Sequence, residues 1–146
     1  MKSPHFLLLA VIAAVTFVGS KTFAIAPFKK AFSATYVKES GDKDFQTAFK
    51  KSGCYTCHVK GKKKDVVNAY GWELAKLIEG SAKDRIDAAR KNGKDAKKAE
   101  GEKLLKELKA ALKKVEATKA PSGTTYGELF KAHELPSAEG AKSVRK

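Results

Sequence analysis

Methionine and cysteine are nearly missing from this chain, and where the few stand matters more than their number. The single methionine is Met1, and the two cysteines, Cys54 and Cys57, are three positions apart. Two cysteines cannot build the multi-bridge framework of a small disulfide scaffold. Histidine is also sparse, at positions 5, 58 and 133. A structural zinc site needs four ligands, and beyond residue 24 only Cys54, Cys57, His58 and His133 could serve. Cys57 and His58 are neighbours, an awkward pair for one tetrahedral ion. Long apolar runs are lacking as well. The stretch from Phe6 to Val18, apolar except for Thr16, is too short to span a membrane, which takes about 20 such residues. Stretches that alternate apolar and polar residues are scarce, which argues against an all-β or α/β chain. Acidic residues are few beside basic ones, 16 against 30, so the formal net charge is +14.

The 146 residues have room for one domain, with or without a short arm. Their opening has the layout of a secretory signal peptide: a short basic start with Lys2, the apolar run, then Gly19, Ser20 and Lys21. The competing reading is an uncleaved anchor. Ala24 and Ala26 both end small-x-small patterns, but Pro27 would follow a cut after Ala26 and hinder a peptidase that needs extended backbone. The expected leader is therefore 1–24, and the mature chain has 122 residues. Losing Lys2 and Lys21 leaves 28 basic and 16 acidic side chains, a net charge of +12. Such a field favours acidic proteins, anionic membrane surfaces or nucleic acid. Export to the periplasm argues against nucleic acid as a partner.

What the chain does have is the run Cys54-Tyr55-Thr56-Cys57-His58. Cys-x-x-Cys-His places two thiols and an imidazole on one turn of backbone. Each thiol can add across a vinyl group of a porphyrin, and the adjacent imidazole then stands under the iron as proximal ligand. The motif therefore predicts one covalent haem c, with Cys54 and Cys57 as thioethers and His58 on the metal. Attachment of this kind happens outside the cytoplasm, so leader and motif support each other. A thioredoxin-like dithiol also uses Cys-x-x-Cys, but it sits in a βαβ setting, whereas Asp44 to Lys51 reads as helix.

The remainder predicts an all-α class with haem as part of the core. Residues 25–41 read as an irregular N-terminal segment. Asp42 or Asp44 can cap a helix carrying Phe45, Ala48 and Phe49 on one face. Val67, Tyr70, Leu74, Leu77 and Ile78 follow at helical spacing and end at Gly80. Ser81 to Lys103 is a charged helical insertion, with Ser81 and Asp84 resembling a capping box and with Gly93 and Gly101 as interruptions. Leu104, Leu105, Leu108, Ala111, Leu112 and Val115 form an amphipathic helix. A turn at Pro121–Gly123 leads to one short helical arm, and the haem domain spans 42–136. The last ten residues, 137–146, read as a polar, frayed tail.

With these residues in hand, the chain resembles the class I cytochrome c family from Asp44 to Leu77. After the attachment motif that family shows a glycine-containing loop, Asn, Gly-Pro and Leu; Gly61, Asn68, Gly71 and Leu74 are similar in order. The resemblance implies a helical fold with crossing terminal helices around one haem, and electron transfer as the role. Two departures stand out. Trp72 replaces the proline whose backbone carbonyl, in the family, accepts the proximal imidazole N–H; a carbonyl remains at Trp72 to do so. The family's methionine ligand has no counterpart, because Met1 leaves with the leader, and this should lower the potential relative to Met/His iron. For the sixth position three readings stay open: His133, an open or water-filled site, or a Lys or Tyr.

The functional expectation is an exported one-electron carrier with no catalytic residues of its own. Lys60, Lys62, Lys63 and Lys64 would surround the haem edge and guide an acidic redox partner. The alternative is a haem protein with an open distal side that binds carbon monoxide, nitric oxide or peroxide as a sensor or weak peroxidase. A third reading has the Lys-rich segment from Ser81 to Lys119 binding anionic surfaces.

Overall fold

The computed structural model describes residues 26–144. The expected leader, 1–24, lies outside them. Among the described residues there are six α-helices: α1 (Ala26–Phe32), α2 (Lys43–Ser52), α3 (Ala69–Leu77), α4 (Ala82–Lys91), α5 (Lys94–Val115) and α6 (Tyr126–Lys131). Two short strands, β1 (Val66–Val67) and β2 (Lys142–Ser143), pair antiparallel. The protein is all-α. Among the described residues, no helix is long and apolar enough to cross a membrane.

The segment 25–41 is not irregular, contrary to its expected character. It forms α1 and a π-helical turn over Ser33–Val37, and it buries Ala31, Phe32 and Val37. Phe28, Phe32 and Tyr36 recur every four residues, the spacing of one helical face. Pro27 sits in the first turn, where its missing N–H costs no helical hydrogen bond. Phe32 is the centre of an aromatic cluster, with ring centroids 5.1 Å from Tyr36, 5.2 Å from Phe49 and 5.2 Å from Phe130.

The helix α2 starts where a cap allows it. Asp42 accepts a hydrogen bond from the Phe45 N–H at 2.8 Å, and Phe45 and Phe49 then face the core one turn apart. It stops at Gly53, whose φ of +51° suits a residue without a Cβ. Ser81 caps α4 in the same way, accepting from the Asp84 N–H.

The helix α5 packs against α1, α3 and α4. Gly101 does not interrupt it, contrary to expectation. A helical glycine costs about 1 kcal/mol, which the buried row Leu104, Leu108, Leu112 and Val115 outweighs. That row makes the leucine face part of the core. Arg85 of α4 reaches across to Glu100 at 2.7 Å and Glu107 at 2.6 Å, clasping α4 onto α5, which takes in the second half of the charged insertion.

The tail is docked rather than frayed. Val144 donates its N–H to the Asp65 carbonyl at 2.8 Å, Ala69 donates to Glu139 at 2.9 Å, and the Val144 side chain is buried. Backbone pairing holds this segment, so its polar side chains gave no sign of it. Val67 belongs to β1 rather than to α3, although it is fully buried as its apolar spacing implied.

Candidate functional site

The Cys54–His58 run leaves α2 through a tight 3₁₀ turn, Gly53–Thr56. The carbonyl of Cys54 accepts from the N–H groups of Cys57 at 3.3 Å and His58 at 3.0 Å. The Thr56 hydroxyl donates to the Gly53 carbonyl at 3.0 Å. This winding brings both thiols and the imidazole to one groove. Cys54 is exposed, Cys57 partly buried and His58 buried.

The next residues hold that turn from behind. Val59 donates to the Val66 carbonyl at 3.2 Å, and Asn68 donates its N–H to the Cys57 carbonyl at 2.9 Å. The Asn68 side chain, fully buried, accepts from the Gly71 N–H at 2.8 Å and donates to the carbonyls of Thr56 at 3.1 Å and Ser137 at 2.9 Å. One amide thus caps α3, braces the motif and fastens the tail. Gly71 lies against the same backbone: a Cβ there would stand 2.4 Å from the Cys57 carbonyl oxygen.

The other groove walls are apolar. Val67, Gly71 and Leu74 line it with the motif, α2 contributes Phe49, and α1 contributes Phe28, Lys29 and Phe32. Sequence reasoning missed these α1 residues, although the four-residue recurrence of Phe28, Phe32 and Tyr36 carried the signal. Burial, with Cys54 close by, pushes the Cys57 thiol up to about 12. A dithiol catalyst needs the opposite shift, since its nucleophile is the thiolate. Among the described residues, no group of three or more His, Cys, Asp or Glu could hold a metal ion.

The donor set of the groove suits a porphyrin held by two thioethers and one imidazole, and its apolar lining suits a flat hydrophobic ring. The space between the walls is small, about 30 Å³. That is room for no more than a few waters, so the groove would have to open to accommodate a porphyrin.

The remaining predicted residues lie elsewhere. His133 has a φ of +58°, its Nδ1 is 2.9 Å from Asp42 Oδ2, and its ring stacks on Phe45 at 5.6 Å. Asp42 and Gly53 bound α2 at opposite ends. At 1.5 Å per residue they are roughly 16 Å apart, and His133 does not line the groove. Trp72 lies inside α3 with its indole under Lys142 Nζ, 5.3 Å from the ring centroid, and it does not line the groove either. A carbonyl inside α3 is directed along the helix toward the following turn. Lys60, Lys62, Lys63 and Lys64 are exposed on the loop between His58 and Val66. The loop turns at Gly61, whose φ is +78°, and is closed by Val66 donating to the Lys63 carbonyl at 2.8 Å.

No family model matches the chain, and neither a curated protein nor a solved structure is similar to it.

Proposed function

We propose that the chain is an exported, monohaem c-type cytochrome that carries single electrons between redox partners, with a fold of the cytochrome c kind. The observation that carries this reading is the convergence of Cys54, Cys57 and His58 on one apolar groove. Cys54 and Cys57 would hold haem c as thioethers, and His58 would be the proximal ligand. Haem supplies a one-electron iron couple; everything else falls to the protein.

Asn68 and Gly71 keep the attachment turn rigid, the first by its three side-chain hydrogen bonds and the second by close approach. A rigid proximal loop limits reorganisation when charge on the site changes. Phe28, Phe32 and Phe49 add apolar surface to the groove. Lys60, Lys62, Lys63 and Lys64 branch from the chain directly after His58 and offer positive charge to an acidic partner in a brief, weak encounter. An anionic membrane surface could use the same field.

The test is direct. The chain is produced in cells with haem-attachment machinery, and the purified protein is examined by denaturing electrophoresis with haem staining and by intact mass. One covalent haem per chain is expected, lost when Cys54 and Cys57 are both changed to Ala. A chain that never retains haem sinks the proposal. Reversible one-electron reduction supports the carrier. Rapid stoichiometric capture of carbon monoxide by the reduced protein would favour the ligand-binding alternative.

A further inference from the structure

We propose that the cleft between the N-terminal helical segment and α2 is a binding site for a small, multiply charged organic anion.

Two stretches of helix build the cleft. Lys29, Ser33 and Val37 follow one another at intervals of four along α1 and the π-helical turn, the spacing of one helical face. Gln46 and Lys50 stand four apart on α2, with Phe49 beside them. The π-helical turn adds Lys38, whose backbone N–H donates to the Ser33 carbonyl at 2.9 Å, five positions back. An ordinary α-turn closes after four residues; the wider turn brings Val37 and Lys38 to the cleft together. Turns of this kind are rare and gather at functional sites.

Size and charge point to the ligand. The cleft holds about 430 Å³, within the roughly 300–1,000 Å³ of small-molecule sites. Its charged side chains are all cationic, and Lys29, Lys38 and Lys50 are exposed. Ser33 and Gln46, both half-buried, add a hydroxyl and an amide, while buried Val37 and Phe49 add apolar surface. Ammonium groups that share one cleft repel one another, and a multivalent anion relieves that repulsion. Lysine meets phosphate or carboxylate as a point charge. The Lys29 amine stands 3.6 Å from where a Cβ on Gly53 would be, and its four-carbon stem leaves it free to turn to an anion in the cleft.

The protein's own carboxylates do not fill this role. Among the described residues, ion pairs form on Lys76, Lys83, Arg85, Arg90, Lys113 and His133. A second cleft, lined by Glu39, Lys113, Glu116, Lys131 and His133 among others, carries both signs, and its Lys113 is already 2.9 Å from Glu116. The α1–α2 cleft carries one sign only. Lys29 and Phe49 also line the motif groove, so a ligand here adjoins the chemistry-bearing residues. The site itself requires no haem.

The test is isothermal titration calorimetry of the purified full chain in about 0.15 M salt, with citrate, pyrophosphate and ADP as probes. Co-sedimentation with phosphatidylglycerol vesicles runs beside it. The expected result is saturable binding of at least one soluble probe, at one site per chain. Lys38→Gln and Lys50→Gln should each weaken it about tenfold, the effect of losing one charge-assisted contact. Gln46→Glu puts a carboxylate in the cleft at nearly constant size and should abolish binding. Changing Lys60, Lys62, Lys63 and Lys64 together to Gln removes more charge elsewhere and should leave affinity within about twofold, since salt screens distant charges. All the substituted side chains are exposed or half-buried, and thermal melting checks that each variant folds. No saturable binding of any soluble probe, binding that falls as much with the loop change as with Lys38→Gln, or binding to vesicles alone overturns the site. Haem staining reads the proposed function and the titration reads this site, so each can fail without the other.

Discussion

The α-carbon of Gly71 lies so close to Cys57 that a Cβ added there would stand 2.4 Å from the Cys57 carbonyl oxygen and 2.9 Å from the Val67 Cβ. Both obstacles are at or near backbone, so neither can swing aside. Gly71→Ala should therefore push α3 off the attachment turn. The expected cost is about 3 kcal/mol, the upper end for overpacking. Denaturant unfolding of the purified protein measures it, and holoprotein yield should fall in parallel. An alanine variant as stable as the parent would show that the two segments are not in this contact.

Asn68 offers a sharper test, because its two ends do different work. Asn68→Ala removes the cap of α3 and leaves the Thr56 carbonyl without its amide partner, for an expected loss of about 2–4 kcal/mol. Asn68→Asp keeps an acceptor for the Gly71 N–H but turns the other end toward the carbonyls of Thr56 and Ser137. Burying a carboxylate against two carbonyl oxygens is unfavourable. Aspartate should thus be no better than alanine at neutral pH, although it is normally as good a cap as asparagine. Equilibrium unfolding of the three proteins decides the order.

Acid should loosen the junction between α2 and the C-terminal arm. The Asp42 carboxyl is held below its ordinary range, first by the Phe45 backbone N–H and then by the His133 side chain. A depressed carboxylate stabilises the fold above the unfolded aspartate value, near 3.9. That contribution is lost as pH falls through the lower folded value. Asp42→Asn retains a capping oxygen but cannot titrate. Its melting temperature should therefore fall less steeply below pH 4 than the parent's. Parallel acid limbs for the two proteins would remove Asp42 from the account.

The lysine loop makes a kinetic prediction. Changing Lys60, Lys62, Lys63 and Lys64 to Gln should leave melting unchanged, since all four are exposed. Electron exchange with an acidic redox protein should slow at low ionic strength. The difference should shrink as the Debye length drops toward about 3 Å in 1 M salt. Equal rates at low salt would make the loop an ordinary solvated turn.

Local signals in the sequence carried much of the helical layout. The caps at Asp42 and Ser81 stand where side-chain oxygens precede apolar periodicity, and the Leu104–Val115 face is the buried face of α5. These features depend on residues within a few positions of one another, so spacing reveals them. Gly101 misled because propensity is a weak local preference, whereas a long helix with a buried leucine row is decided by packing. The segment 25–41 misled because Pro27 and mixed polarity obscured the row of Phe28, Phe32 and Tyr36.

The sequence by itself determined the chemistry-bearing triplet, because Cys54, Cys57 and His58 lie within five consecutive residues and cannot be far apart. It likewise determined the absence of methionine beyond position 1 and the excess of positive charge. Only the tertiary structure decided what lines the groove with that triplet. It brought Phe28 and Phe32 of α1 to the same groove, seated His133 on Asp42 at the other end of α2, and bound the tail to Asp65 and Asn68. Those relationships join residues about 25 to 90 positions apart. Loop closure between such distant points costs entropy that no local preference repays. Burial of the aromatic cluster and pairing of buried backbone groups make them favourable, and both exist only once the chain has folded.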